Sequence, residues 1–150
     1  MADATPQTLQ RLEDQISWYD QKSQYAQFWF KALKIVQLVA AGITPLIAMA
    51  IPGPAGMVTA VLGLVILVVE GLQQLNQYQG NWISYRSTCE ALRHEKYLFL
   101  AAAGPYAKSE QPLPLLADRI EGLISQEHAK WLSAQEQAEK TREKNQTKGS

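Results

Sequence analysis

The chain has 150 residues and balances 14 Lys plus Arg against 14 Asp plus Glu, so its formal net charge is zero. That excludes a strongly basic nucleic-acid-binding module and any overall attraction to an anionic surface. Its one cysteine, Cys89, forms no internal disulfide, and no CxxC or His/Cys cluster has metal-ligand spacing; the sequence predicts no metal, no cofactor and a reduced, cytosol-facing location.

Residues 1–8 are expected to be flexible, followed by one helical domain over 9–135. Leu9, Leu12, Ile16, Tyr19, Ala26 and Phe30 recur at helical spacings and form a stripe that runs into an apolar stretch. From Lys34 to Glu70 no Asp, Glu, Lys or Arg intervenes. Ala32 to Ile51 is long enough, at about 1.5 Å per residue, to cross a hydrocarbon core of about 30 Å. Pro52-Gly53-Pro54-Ala55-Gly56 removes amide donors and supplies a permissive backbone, and Ala55 to Leu72 returns across the same thickness. The apolar run begins after a long polar and aromatic segment without a basic leader or small-residue cleavage site, so it is expected to be retained.

Leu75, Tyr78, Trp82, Tyr85, Cys89, Leu92 and Phe99 extend the second helix until Gly104-Pro105 ends it. A loop with Pro105, Pro112 and Pro114 leads to a third helix over about 115–135, with Leu116, Ile120, Leu123, Ile124 and Trp131 on its apolar side. Residues 136–150 are Gln-, Glu- and Lys-rich and are expected to be flexible. The fold class is all-α: an integral membrane hairpin of two transmembrane helices with long cytosolic extensions, plus a third cytosolic helix.

The alternative is a buried hairpin at the centre of a soluble bundle, but so long a charge-free stretch exceeds what a small domain core needs. Lys31 and Lys34 precede the first crossing, Arg86, Arg93 and Lys96 follow the second, and the turn carries no charge. The positive-inside rule then places both termini in the cytoplasm. Folding the hairpin about Gly53 brings Phe28 and Trp29 level with Tyr78, and Tyr25 level with Trp82, an aromatic band at one interface. The implied partner is the lipid bilayer.

Within the apolar runs, Gln37, Ala41, Thr44 and Ala48 on the first helix share a face. On the second, Thr59, Gly63, Ile66, Glu70, Gln73 or Gln74, and Gln77 do the same. Small and polar residues at such spacing either let helices approach closely or line a wet cavity. Glu70 either pairs with Lys34 or, repeated around a ring of subunits, forms a negative mouth that draws cations. Two crossings enclose no pore, so conduction requires a homo-oligomer.

Outside the membrane, Arg86, Glu90 and Arg93 fall on one helix face, with Glu121 or Glu127 as partners in an ion-pair network or a ligand site. His94 and His128 are isolated, and no nucleophile, catalytic triad or phosphate loop is legible. The chain is not expected to be an enzyme.

The run Trp82-Ile83-Ser84-Tyr85-Arg86-Ser87-Thr88-Cys89-Glu90-Ala91-Leu92-Arg93-His94-Glu95 resembles the signature of the bacterial domain of unknown function 4231 family. So do Leu12-Glu13-Asp14-Gln15-Ile16-Ser17-Trp18-Tyr19, Ala103-Gly104-Pro105-Tyr106 and the pattern Glu121, Ile124, Glu127, Trp131. That family is similar to the SLATT group of two-transmembrane proteins, proposed as pore-forming effectors in nucleotide-signalling conflict systems. The resemblance and the polar stripe together imply a homo-oligomeric pore; the alternative is a membrane-anchored scaffold that docks a cytosolic protein partner.

Overall fold

The computed structural model describes residues 4–50 and 55–147. All regular structure among these residues is helical: α1 (Ala4–Ala50), α2 (Ala55–Asn76), α3 (Tyr78–Leu100), a 3-10 turn (Gly104–Tyr106) and α4 (Pro112–Thr147). The turn expected at Pro52-Gly53-Pro54 lies outside the described residues.

Two compact units result. One combines residues 1–19 with 87–150; the other is Asp20–Arg86. The first has a conventional core, in which Leu12 of α1, Cys89 and Leu92 of α3, and Leu116 of α4 are fully buried and Tyr19 and Ile120 nearly so. Cys89 Sγ lies 3.6 Å from the Ile16 carbonyl oxygen, so the thiol packs as a small apolar group with a weak donor.

The second unit holds the apolar runs of α1 and α2, side by side and antiparallel. Both helices are long and apolar enough to cross a membrane, yet only 11% and 6% of their most apolar stretches is buried. Leu38, Leu46, Met49, Met57, Leu64 and Leu67 all point outward. A hairpin at the centre of a soluble core would show the reverse, so the chain itself does not supply that core.

Four boundaries depart from the sequence expectation. The helix that begins at Ala55 does not run unbroken to the Gly-Pro stop: Gln77 adopts φ 46°, a left-handed conformation, and separates α2 from α3. The backbone ladder still passes through, because the Gln77 amide donates to Gln73 O at 2.9 Å and the Asn81 amide to Gln77 O at 3.0 Å. The Asn81 side-chain amide takes the Asn76 carbonyl at 3.0 Å, and that of Asn76 takes Leu72 O at 2.9 Å. The Asn81 side chain thus occupies the Asn76 carbonyl, which the break would otherwise leave wanting.

At the end of α3 the left-handed cap is Ala102 (φ 48°), before Gly104. Ala103 N donates to Leu98 O at 2.9 Å and Ala102 N to Phe99 O at 3.1 Å, the paired bonds of a Schellman cap. Gly104 is left-handed as well, at φ 57°, and opens the 3-10 turn. Finally, helix begins at Ala4 and α4 continues to Thr147, past Gln135, where the sequence places a flexible tail. Good helix formers (Glu, Gln, Lys, Ala) carry the helix on without an apolar stripe.

Replacing fully buried Leu92 with Ala removes a side chain from the centre of the first unit's core. The expected cost is about 2–5 kcal/mol, read as a lowered unfolding midpoint by circular dichroism.

Candidate functional site

The site is a polar seam between two apolar helices. On α1 the residues turned toward α2 are Leu33, Gln37, Ala40, Thr44 and Ile47, alternating four and three apart and all buried or half-buried. On α2 they are Thr59, Leu62, Ile66, Val69 and Gln73, at the matching period.

Gln37 is the hub of this seam. Its Nε2 donates to Glu70 Oε2 at 2.8 Å and, at 3.4 Å, to the Ile66 carbonyl; its Oε1 accepts from Gln73 Nε2 at 3.0 Å. Both ends of one buried carboxamide are therefore used across the helix pair. The Lys34 ammonium stands 3.9 Å from the same Glu70 oxygen, with both side chains about half exposed, 48% and 46%. At that exposure the ion pair contributes ~0–1 kcal/mol in water, so the amide is the firmer of Glu70's two contacts. Beside them Phe30, Lys34, Glu70, Gln73, Gln74 and Gln77 line a polar cleft of about 280 Å³. The Thr44 hydroxyl returns to Ala40 O at 2.7 Å and that of Thr59 to Gly56 O at 3.1 Å.

The sequence places all these polar positions on one face; the structure divides them. Gln37, Thr44, Thr59, Ile66, Glu70 and Gln73 lie along the seam, whereas Ala41, Ala48 and Gly63 are exposed. Ala41 follows seam residue Ala40, and one residue is about 100° of rotation on a helix. Gln77 is exposed at the left-handed break and belongs to neither helix face.

The aromatic residues converge. Trp82 stacks on Phe30 with centroids 6.5 Å apart, and Trp29 meets Tyr25 at 6.3 Å and Phe28 at 5.8 Å edge to face. Tyr25 and Tyr78 line one cleft.

Arg86, Glu121 and Glu127 take partners from outside the predicted network, while Glu90 and Arg93 pair as their spacing predicts. Arg86 pairs with Asp20 at 3.6 Å, Glu90 with Arg93 at 3.1 Å and Glu121 with Arg11 at 2.6 Å, while the Tyr19 hydroxyl donates to Glu127 at 3.5 Å. Helix spacing alone reports same-helix neighbours, so Asp20 and Arg11 of α1 were invisible to it.

The stronger polar cluster was not singled out from sequence. Glu95, 5% exposed, receives Arg119 Nε at 2.8 Å and Nη2 at 2.5 Å in a two-pronged pair, and the Tyr106 hydroxyl at 2.7 Å. It clamps α3, the 3-10 turn and α4 together. The Arg119 hydrogen bond holds the Glu95 carboxyl below the ordinary carboxylate range, against the opposing pull of burial. Burial, reinforced by hydrogen bonding to Glu95, pushes the Tyr106 phenol up, and the bond to Glu95 keeps Arg119 charged. The signal lay in a polar residue at an apolar-face position: Glu95 is three residues past Leu92 and six past Cys89.

Taken together, these residues define an all-α protein with two helices long and apolar enough to cross a membrane. Residues 14–112 match the family described as Protein of unknown function (DUF4231), and the chain belongs to that family. The match takes in the seam, Glu95 and Tyr106 and stops at the first residue of α4, so Arg119 and the third-helix pattern lie outside it. No curated protein and no solved structure matches the chain.

Glu95→Gln removes the charge from this clamp and is expected to cost about 1.5–3 kcal/mol at neutral pH. A depressed carboxyl stabilises the fold above the ordinary Glu value of 4.5 and loses that contribution as pH falls through its lower folded value. The gap between wild type and variant should therefore close on acidification, read as unfolding midpoints across pH 7 to 3.

Proposed function

We propose that this chain is a two-crossing plasma-membrane protein with cytoplasmic termini, and that its hairpins assemble into a homo-oligomeric, ion-conducting pore. The observation that carries the reading is Glu70: a half-exposed carboxylate, held by Gln37, on a helix pair whose other outward surface is apolar. A carboxylate at the edge of the hydrocarbon is costly against lipid and is relieved in a water-filled mouth. The polar cleft beside it, rich in Gln side chains, fits a wetted entrance. The outward apolar residues of α1 and α2 fit lipid and neighbouring subunits, and the resemblance to the SLATT group points the same way. No catalytic role is assigned.

A second reading is an anchored scaffold that docks a cytosolic protein. The contacts that favour it are Gln37 and Lys34, which meet Glu70 within one hairpin and give it a structural use.

In proteoliposomes the pore reading expects ion flux, with cation-over-anion preference falling about tenfold for Glu70→Gln as the negative mouth is lost. Cross-linking should give a closed ring of several subunits. A strict monomer in mild detergent, or no flux under any ligand or voltage, sinks the pore; flux unaltered by Glu70→Gln sinks the mouth assignment.

A further inference from the structure

A carboxylate only accepts hydrogen bonds, and that fixes the polarity of the side chains that line the polar cleft of about 280 Å³. Gln37 must present its Nε2 to Glu70 Oε2, at 2.8 Å, so its Oε1 is left to accept, and Gln73 presents its own Nε2 there at 3.0 Å. The atoms left over are acceptors. Among the described residues, Glu70 Oε1 and Gln73 Oε1 receive no hydrogen bond, and both residues line the cleft together with Gln74, Gln77 and Gln79, each of which carries a further carbonyl oxygen. One carboxylate among carboxamide oxygens is a set of hard ligands, and it suits a hard cation.

The charge of that cation follows from the carboxylate count. Glu70 is the one acid in the lining, and the one positive charge, the Lys34 ammonium, stands 3.9 Å from Oε2, the oxygen that Gln37 already holds. Lys34 is about half exposed on a flexible stem, so little besides its charge keeps it there. A singly charged ion replaces the ammonium without leaving net charge, whereas sites for divalent ions gather several carboxylates. Counted at about 1.5 Å per residue from the hairpin end, Glu70 lies about 26 Å and Gln77 about 36 Å along the chain's second apolar helix. For about 30 Å of hydrocarbon, the carboxylate is then at the inner edge of the membrane and the glutamines reach the headgroup layer, so the cleft fills from the cytosol. Its volume takes an ion together with several waters at ~30 Å³ each.

We propose that this cleft binds a monovalent metal cation through Glu70 Oε1 and the Gln73 carbonyl oxygen, completed by a neighbouring glutamine and water, and that the Lys34 ammonium is a tethered competitor for the same carboxylate. Ammonium and ion repel one another, so Lys34 sets how often the ion occupies the site. The proposal names the ion class of the pore reading and rests on that reading for the ion's purpose. All the ligands belong to one chain, so occupancy is measured without conduction.

The full chain, purified in mild detergent, is titrated with radioactive sodium and read by scintillation proximity, with N-methylglucamine chloride holding the ionic strength constant. Wild type is expected to bind one sodium ion per chain saturably, with potassium competing. Lys34→Gln should bind about fivefold more tightly, the loss of an exposed ion pair being worth up to roughly that factor, and Glu70→Gln should lose the binding. Lys34 is exposed, and a gain in affinity does not arise from a chain that fails to fold. No saturable binding by either wild type or Lys34→Gln overturns the site, whatever flux proteoliposomes show. Equal affinity of these two overturns the role of Lys34 as competitor, and displacement of sodium by micromolar calcium overturns the monovalent assignment. Binding as expected by a chain that conducts no ions upholds the site and overturns the pore.

Discussion

The hydrogen bond between Gln37 and Glu70 is the interaction on which the paired apolar helices depend. Two helices whose surfaces are apolar all round gain little by touching when the alternative is an equally apolar medium. So little of α1 and α2 is buried between them that area alone favours no particular rotation or slide. A carboxamide that donates to Glu70 and accepts from Gln73 is satisfied at one register only. Even at the ~0.6–1.7 kcal/mol measured for such bonds between membrane helices, that selects among arrangements which packing leaves nearly equal.

The unit formed by residues 1–19 and 87–150 solves a different problem. There Leu12, Leu92 and Leu116 bury apolar surface in the ordinary way, so association is driven by water. Its polar cluster is placed accordingly. Glu95 is buried and charged, which is stable only because Arg119 presents a planar fork and Tyr106 a third donor. Arg119 keeps 42% of its side chain in solvent and so remains partly hydrated while it neutralises Glu95. Glu95 and Tyr106 are both withdrawn from water, and only the arginine keeps contact with it.

How much of this was legible follows from which physics acts locally. The two apolar runs and their antiparallel register were readable because charge exclusion and length are properties of the chain itself. Gln37 and Glu70 stand 16 and 17 residues from Gly53, so the same fold that levels the aromatic residues also levels this pair. Three things were not readable. The break at Gln77 is a single residue in a left-handed conformation, and an apolar stripe averages over it; Ala102 rather than glycine caps α3 for the same reason of scale. The division of the stripe, with Ala41, Ala48 and Gly63 outside the seam, depends on how the two helices are rotated, which spacing within one helix does not contain. Arg119 had no local pattern to announce it, because its partner lies on another helix beyond a loop.

The glycines sharpen what the outward face is for. A methyl group added at Gly42, Gly56, Gly63 or Gly71 would meet nothing within 4 Å. Within one hairpin these positions gain nothing from lacking a side chain, while each costs about 1 kcal/mol of helix propensity relative to alanine. The packing of α1 on α2 therefore does not account for them. Gly63 and Gly71 line a concave strip on α2 together with Glu70 and Gln74, so the open positions and the half-exposed carboxylate share one surface. A strip of that kind admits a helix backbone closely, and the same approach would bring Glu70 out of lipid and against polar neighbours. In the proposed homo-oligomer, a contact at this strip would relieve the cost that Glu70 carries in an isolated hairpin.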